Sequence, residues 1–80
     1  MKNFNNLEEL YRAIKNIVER KENKNDYFDL YLQETGDLEL WVQTENFCDI
    51  LLEDELTQKE YEQLAYKLYK HHVDVYVNRI

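Results

Sequence analysis

The apolar positions of this chain change period twice. Leu7, Leu10, Tyr11, Ile14, Ile17 and Val18 recur at three- and four-residue spacing, which predicts a helix from about Leu7 to Lys21 with one buried stripe. From Phe28 the period becomes two. Phe28, Leu30 and Leu32, then Leu38, Leu40 and Val42, then Cys48, Ile50 and Leu52 read as the inward faces of three strands. Helical spacing returns at Tyr61, Leu64, Ala65, Leu68 and Tyr69, and a fourth alternating run, Val73, Val75 and Val77, follows it.

Local signals agree with this division. Asn5 with Glu8, or Asn6 with Glu9, can cap the first helix, and Thr57-Gln58-Lys59-Glu60 is a capping box for the second. Lys67, Lys70, His71 and His72 suit the negative pole of that second helix.

Residues directly opposite in an antiparallel pair share a face, so the inward sets constrain the hairpins. Pairing Leu32 with Leu38 leaves a loop Glu34-Thr35-Gly36, with glycine at the left-handed position such loops need. Pairing Val42 with Cys48 leaves Thr44-Glu45-Asn46, and asparagine is the next best residue at that position. The outward face then reads Tyr27, Asp29, Tyr31; Glu39, Trp41, Gln43; Phe47, Asp49, Leu51, Glu53; and Asp74, Tyr76. Tyr31 faces Glu39, Asp29 faces Trp41, Trp41 faces Asp49, and Glu39 faces Leu51. Carboxylates and apolar groups alternate in this register, and only Asp37 and Glu53 set like charges opposite each other.

The expected fold is an α+β two-layer sandwich in the order helix-β-β-β-helix-β. Its four-stranded sheet is mainly antiparallel and both helices cover one face. If the fourth strand arrives by a crossover, it lies parallel beside the first. The 80 residues make one domain, which at this size buries only about 60% of the surface its unfolded chain exposes.

Charge alters the picture most. Between Lys24 and Lys59 there are ten carboxylates and no Lys or Arg, while both flanks are close to balanced, so the net charge of −7 is concentrated in the sheet. Such a block repels nucleic acid and anionic membranes and attracts basic surfaces, with a field that salt weakens. Glu53, Asp54 and Glu55 form its densest pole.

The chemistry on offer is sparse. Cys48 is the only thiol and its alternation puts it inward, as a buried structural cysteine. His71 and His72 are adjacent and cannot face one metal, and a single glycine excludes a phosphate-cradling loop. The carboxylates are spread along exposed strands without an implied cleft, so neither an enzyme nor a bound cofactor or metal is expected. With no apolar run long enough for a signal peptide or a membrane span, the expected location is cytoplasmic.

The opening helix Asn6-Leu7-Glu8-Glu9-Leu10-Tyr11-Arg12-Ala13-Ile14-Lys15-Asn16, followed by the acid-laced meander Tyr27 to Glu53, resembles the small acidic inhibitors of phages and mobile elements. Anti-CRISPR proteins and other DNA mimics belong to that group, and one of them, an inhibitor of an RNA-guided nuclease, similarly places three strands after a short helix. The resemblance implies inhibition of a nucleic-acid-handling enzyme, in the host cytoplasm if the chain is phage-encoded.

Residues and resemblance together lead to the expectation of a protein-binding inhibitor with a basic partner. Its face is Asp29, Tyr31, Asp37, Glu39, Trp41, Asp49, Glu53, Asp54, Glu55 and Tyr76. Charge steers the encounter and the aromatics anchor it. Two alternatives share these residues: a homodimeric structural or adaptor protein, and an immunity or antitoxin protein that neutralises a basic nuclease.

Overall fold

A computed structural model describes residues 1–79. The elements run α1 (Leu7–Glu19), β1 (Tyr27–Leu32), β2 (Asp37–Gln43), β3 (Cys48–Glu55), α2 (Gln58–Lys70) and β4 (Tyr76–Val77). Both helices begin on the caps that the sequence offers. The Asn6 side chain accepts the Glu9 N–H at 2.9 Å, and the Glu9 carboxylate accepts the N–H of Asn5 at 3.0 Å. At α2 the box is complete: the Thr57 hydroxyl accepts the Glu60 N–H at 3.1 Å and Glu60 accepts the Thr57 N–H at 2.9 Å.

The helices end differently. α1 stops two residues before Lys21, where the Arg20 N–H turns back onto the Asn16 and Ile17 carbonyls. α2 closes with the His72 N–H on the Tyr69 carbonyl (3.1 Å) and the Val73 N–H on the Leu68 carbonyl (3.0 Å). This paired closure requires a left-handed residue, and His72 supplies it with φ 56° where glycine is usual.

The sheet is mixed rather than wholly antiparallel, in the order β3-β2-β1-β4. β4 runs parallel to β1, with Asp29 beside Tyr76 and Leu30 beside Val77. The expected strand Val73 to Val77 shortens to its last two residues, because Val73 is still closing the helix and Val75 donates to the Val73 carbonyl at 2.9 Å. Two polar groups fasten so short a strand. The Asn78 amide donates to the Leu30 carbonyl at 3.1 Å, and the buried Tyr61 hydroxyl lies 2.6 Å from the Asn78 carbonyl and 3.0 Å from that of Leu30. Burial pushes the Tyr61 pKa up to about 12, with Arg79 and the Asn78 bond opposing the shift.

One core joins the layers. Leu10, Ile14 and Val18 of α1 and Tyr61, Leu64 and Leu68 of α2 pack with Phe28, Leu30, Leu32, Leu38 and Leu40, which all point to the same side of the sheet. Both helices therefore cover one face and leave the other free. Burying each such leucine contributes roughly 1.5–3 kcal/mol relative to leaving it exposed.

The β1–β2 register is the expected one, with Leu32 opposite Leu38 and Gly36 at φ 92° in the loop. The Leu56 backbone also bonds the Gly36 carbonyl at 2.9 Å, and a Cβ at Gly36 would come within 3.3 Å of the Leu56 oxygen. The β2–β3 register departs from expectation twice. Cys48 pairs with Gln43 rather than Val42, because the turn is only Glu45-Asn46. The Thr44 hydroxyl closes that turn, accepting the Phe47 N–H at 3.0 Å and donating to the Phe47 carbonyl at 2.9 Å. Asn46 therefore has no need of a left-handed backbone.

Farther along, an irregularity between Leu40 and Trp41 leaves Leu51 unpaired, and Leu52 returns to the inward side opposite Leu40. A one-residue slip exchanges faces. Cys48 is consequently exposed, not buried, and Ile50 sits opposite Trp41 on the outward face. The physical cause is local. At this end of the hairpin Phe47, Cys48 and Asp49 are all exposed, so no burial enforces the register and the turn sets it instead.

Candidate functional site

The free face of the sheet carries Tyr27, Asp29 and Tyr31 from β1 and Asp37, Glu39, Trp41 and Gln43 from β2. β3 adds Cys48, Ile50, Glu53 and Glu55. Its alternation is less regular than the sequence implied. Glu39 stands opposite Glu53 and Asp37 opposite Glu55, so two like-charged pairs replace the expected pairings of Glu39 with Leu51 and Asp37 with Glu53. Each such pair is unfavourable by a few tenths to about 1 kcal/mol. Trp41 lies between Asp29 and Ile50 rather than facing Asp49.

Hydrogen bonds hold parts of this face in place. The Trp41 indole N–H and the Gln33 amide both donate to Glu39 Oε1 at 3.1 Å, which fixes the ring beside the carboxylate. Thr35 donates to Asp37 at 2.7 Å, and Asn78 donates to Asp29 at 3.3 Å. Tyr31, Gln33, Glu39, Trp41, Gln43 and Cys48 border a shallow depression of about 240 Å³. Partial burial, then the Asp29 carboxylate and the neighbouring Tyr27 and Cys48, raise the Tyr31 pKa above its ordinary value. At the β4 side Tyr76 packs edge-on to Tyr27, with ring centroids 5.8 Å apart.

Two residues of the expected set, Asp49 and Asp54, lie elsewhere, as does Leu51 of the expected outward face. Asp49 is exposed but pairs with Val42, on the side away from Trp41. Leu51, expected outward, is the unpaired residue of the bulge. Asp54 is only 3% exposed and faces inward opposite Leu38. It accepts the N–H groups of Lys2, Asn3 (3.3 Å), Phe4 (3.1 Å) and Glu55 (2.6 Å). Burial alone would raise its pKa, but these four donors outweigh that and hold it below the usual carboxylate range. Asp54 thus belongs to the structure of the amino-terminal segment, and the acidic pole is reduced to Glu53 and Glu55. Lys2 reaches Glu55 at 3.4 Å.

Sequence reasoning missed Cys48 and Ile50 as members of this face. Their membership depends on the short turn and the bulge, for which the chain carries no glycine or proline signal.

Cations on the helix side are drawn into contacts there. Lys67 bonds Glu8 and sits 4.9 Å from the Tyr11 ring centroid, while Arg12 meets Glu8 at 3.3 Å. The Lys67 bond is the main cause of a lowered Glu8 pKa; burial opposes it, and the charges of Lys67 and Arg12 add to it. Among the described residues no group of three His, Cys, Asp or Glu side chains is placed to hold a metal, and no helix is long and apolar enough to cross a membrane. No protein family, curated protein or solved structure matches this chain.

Proposed function

We propose that the free sheet face is a docking surface for a basic protein, and that this protein inhibits a nucleic-acid-binding enzyme by occupying the surface that receives phosphates. The observation that carries this reading is the pair of like-charged contacts, Glu39 with Glu53 and Asp37 with Glu55, set beside Tyr31 and Trp41 on the face that no helix covers. In the isolated chain the Glu39–Glu53 pair is unfavourable, while Lys2 partly offsets the Asp37–Glu55 pair. A lysine- or arginine-rich partner relieves them on binding, and spaced carboxylates can stand where phosphates would. Trp41, oriented by Glu39, supplies a rigid anchor of the kind that dominates interface energies.

The test begins with a pull-down from native host lysate at low and high salt, followed by titration of the recovered partner with variants. Trp41→Ala should weaken binding by about 2 kcal/mol or more. Charge removal at Glu53 and Glu55 should mainly slow association, and added salt should mimic it. Glu19→Ala, on the exposed end of α1, should change little. Salt-indifferent binding, or equal losses from Trp41→Ala and Glu19→Ala, would sink the proposal.

A further inference from the structure

A second surface lies at the β4 edge. The Asn78 N–H donates to the Leu30 carbonyl at 2.9 Å, and in a parallel ladder this turns the N–H and C=O of Val77 to the open side. Beside that edge, α2 and the β4 segment border a groove of about 940 Å³ walled by Ala65, Tyr66, Tyr69, Val75, Tyr76 and Val77. Tyr66, Tyr69 and Tyr76 are 65%, 80% and 62% exposed. Among the described residues, an open strand edge beside the bare rings of Tyr66 and Tyr69, with Tyr76 at the rim against Tyr27, forms the kind of surface that folded domains keep covered.

Charge selects the occupant. The carboxylates of the sheet are concentrated on the free face, whereas the ionisable residues of this groove, Glu62, Asp74, Arg79 and His72, are close to balanced. A basic partner therefore has its better target on the free face. A second copy of this net −7 chain meets less repulsion at the groove than on the free face, and an open edge is self-complementary across a two-fold axis. The opposite edge cannot serve in this way. It carries the bulge at Leu51 and exposed Glu53 and Glu55, and the Asn3 amide already takes the Glu53 carbonyl at 2.7 Å.

We infer that this protein forms a homodimer by antiparallel pairing of β4 with β4 of a second copy, the tyrosines of each copy closing the groove of the other. A partner footprint of about 800 Å² is typical of stable interfaces. That is a small part of the 5622 Å² surface of the chain, so the free face stays available for a different partner. This inference stands apart from the proposed function, and its salt dependence has the opposite sign.

Sedimentation velocity on the whole chain tests it, at about 0.05 M and about 0.5 M salt. The expected result is a dimer that tightens several-fold with salt as repulsion between the copies is screened. The charge-neutral double variant Tyr66→Ser, Tyr69→Ser should weaken it at least about tenfold. Circular dichroism should show that variant folded, since both rings are exposed. Trp41→Ala should leave dimerisation unchanged. A chain that stays monomeric at about 0.5 mM and both salts overturns the inference. So does a dimer that survives the double serine variant or one that Trp41→Ala dissolves, and the last would place the contact on the free face and count against the proposed function as well.

Discussion

The two edges of the sheet solve the same problem in unlike ways. At β3 the edge is closed by the chain itself: Asp54 turns inward and gathers the N–H groups of Lys2, Asn3 and Phe4, while a bulge and exposed carboxylates discourage further pairing. At β4 the edge is merely short, held by Tyr61 and Asn78 and flanked by exposed tyrosines. The difference shows that the acid block is no uniform patch. One of its carboxylates is a structural clasp, and its neighbours Glu53 and Glu55 remain surface charge.

The most damaging way to break this contrast is to open the closed edge. Asp54→Ala should lower stability by about 2–3 kcal/mol, since it removes the shared acceptor of four part-buried backbone N–H groups and frees Phe4 from the core. Chemical denaturation reads the loss, and amide exchange at residues 2–4 should rise with it. Acid should act through the same group. Because the folded pKa of Asp54 is depressed, its contribution is complete above the ordinary carboxylate value of about 4 and is lost as pH falls through the lower folded value. Asp54→Ala should flatten that acid limb, and an unchanged limb would show that other groups control it.

The open edge should fail at the other end of the pH scale. Tyr61 stays protonated in the fold up to about 12, whereas an unfolded chain ionises near about 10. Its contribution is therefore intact below the unfolded value and lost as pH rises toward the folded one. The loss should be roughly 1–2 kcal/mol, because water at the sheet edge screens part of it. Tyr61→Phe should remove this alkaline limb in a pH-resolved denaturation series.

Two substitutions should stabilise. His72→Gly relieves the left-handed residue that leads into β4 and should raise stability by about 1 kcal/mol. The smallest effect belongs to Glu53→Gln, which removes one like-charged contact with Glu39 and should add a few tenths of a kcal/mol. A loss of stability from Glu53→Gln would mean that the free face is not under the electrostatic strain assigned to it.

Much of the molecule can be read before any coordinates. The capping box at Thr57, both buried helix stripes and the β1–β2 hairpin with Gly36 at its turn all follow from spacing and turn chemistry. Asp29, Tyr31, Glu39 and Trp41 follow with them, since a register set by a buried leucine on every second residue also determines what points away. Cys48 and Ile50 do not, because their end of the hairpin lies outside the helix cover and the Thr44 turn chooses the register there.

By itself, the sequence determined the periods, the caps and the excess of negative charge, which are local or compositional quantities. Tertiary structure alone decided which carboxylate would be spent inside. Asp54 and Glu53 are adjacent in the same acidic run, and only the bulge at Leu51 together with the return of residues 2–4 to the β3 edge sends one inward and leaves the other to solvent. The physical reason is that a carboxylate can be buried only where donors converge on it, and three of the four donors here lie some fifty residues away in the chain.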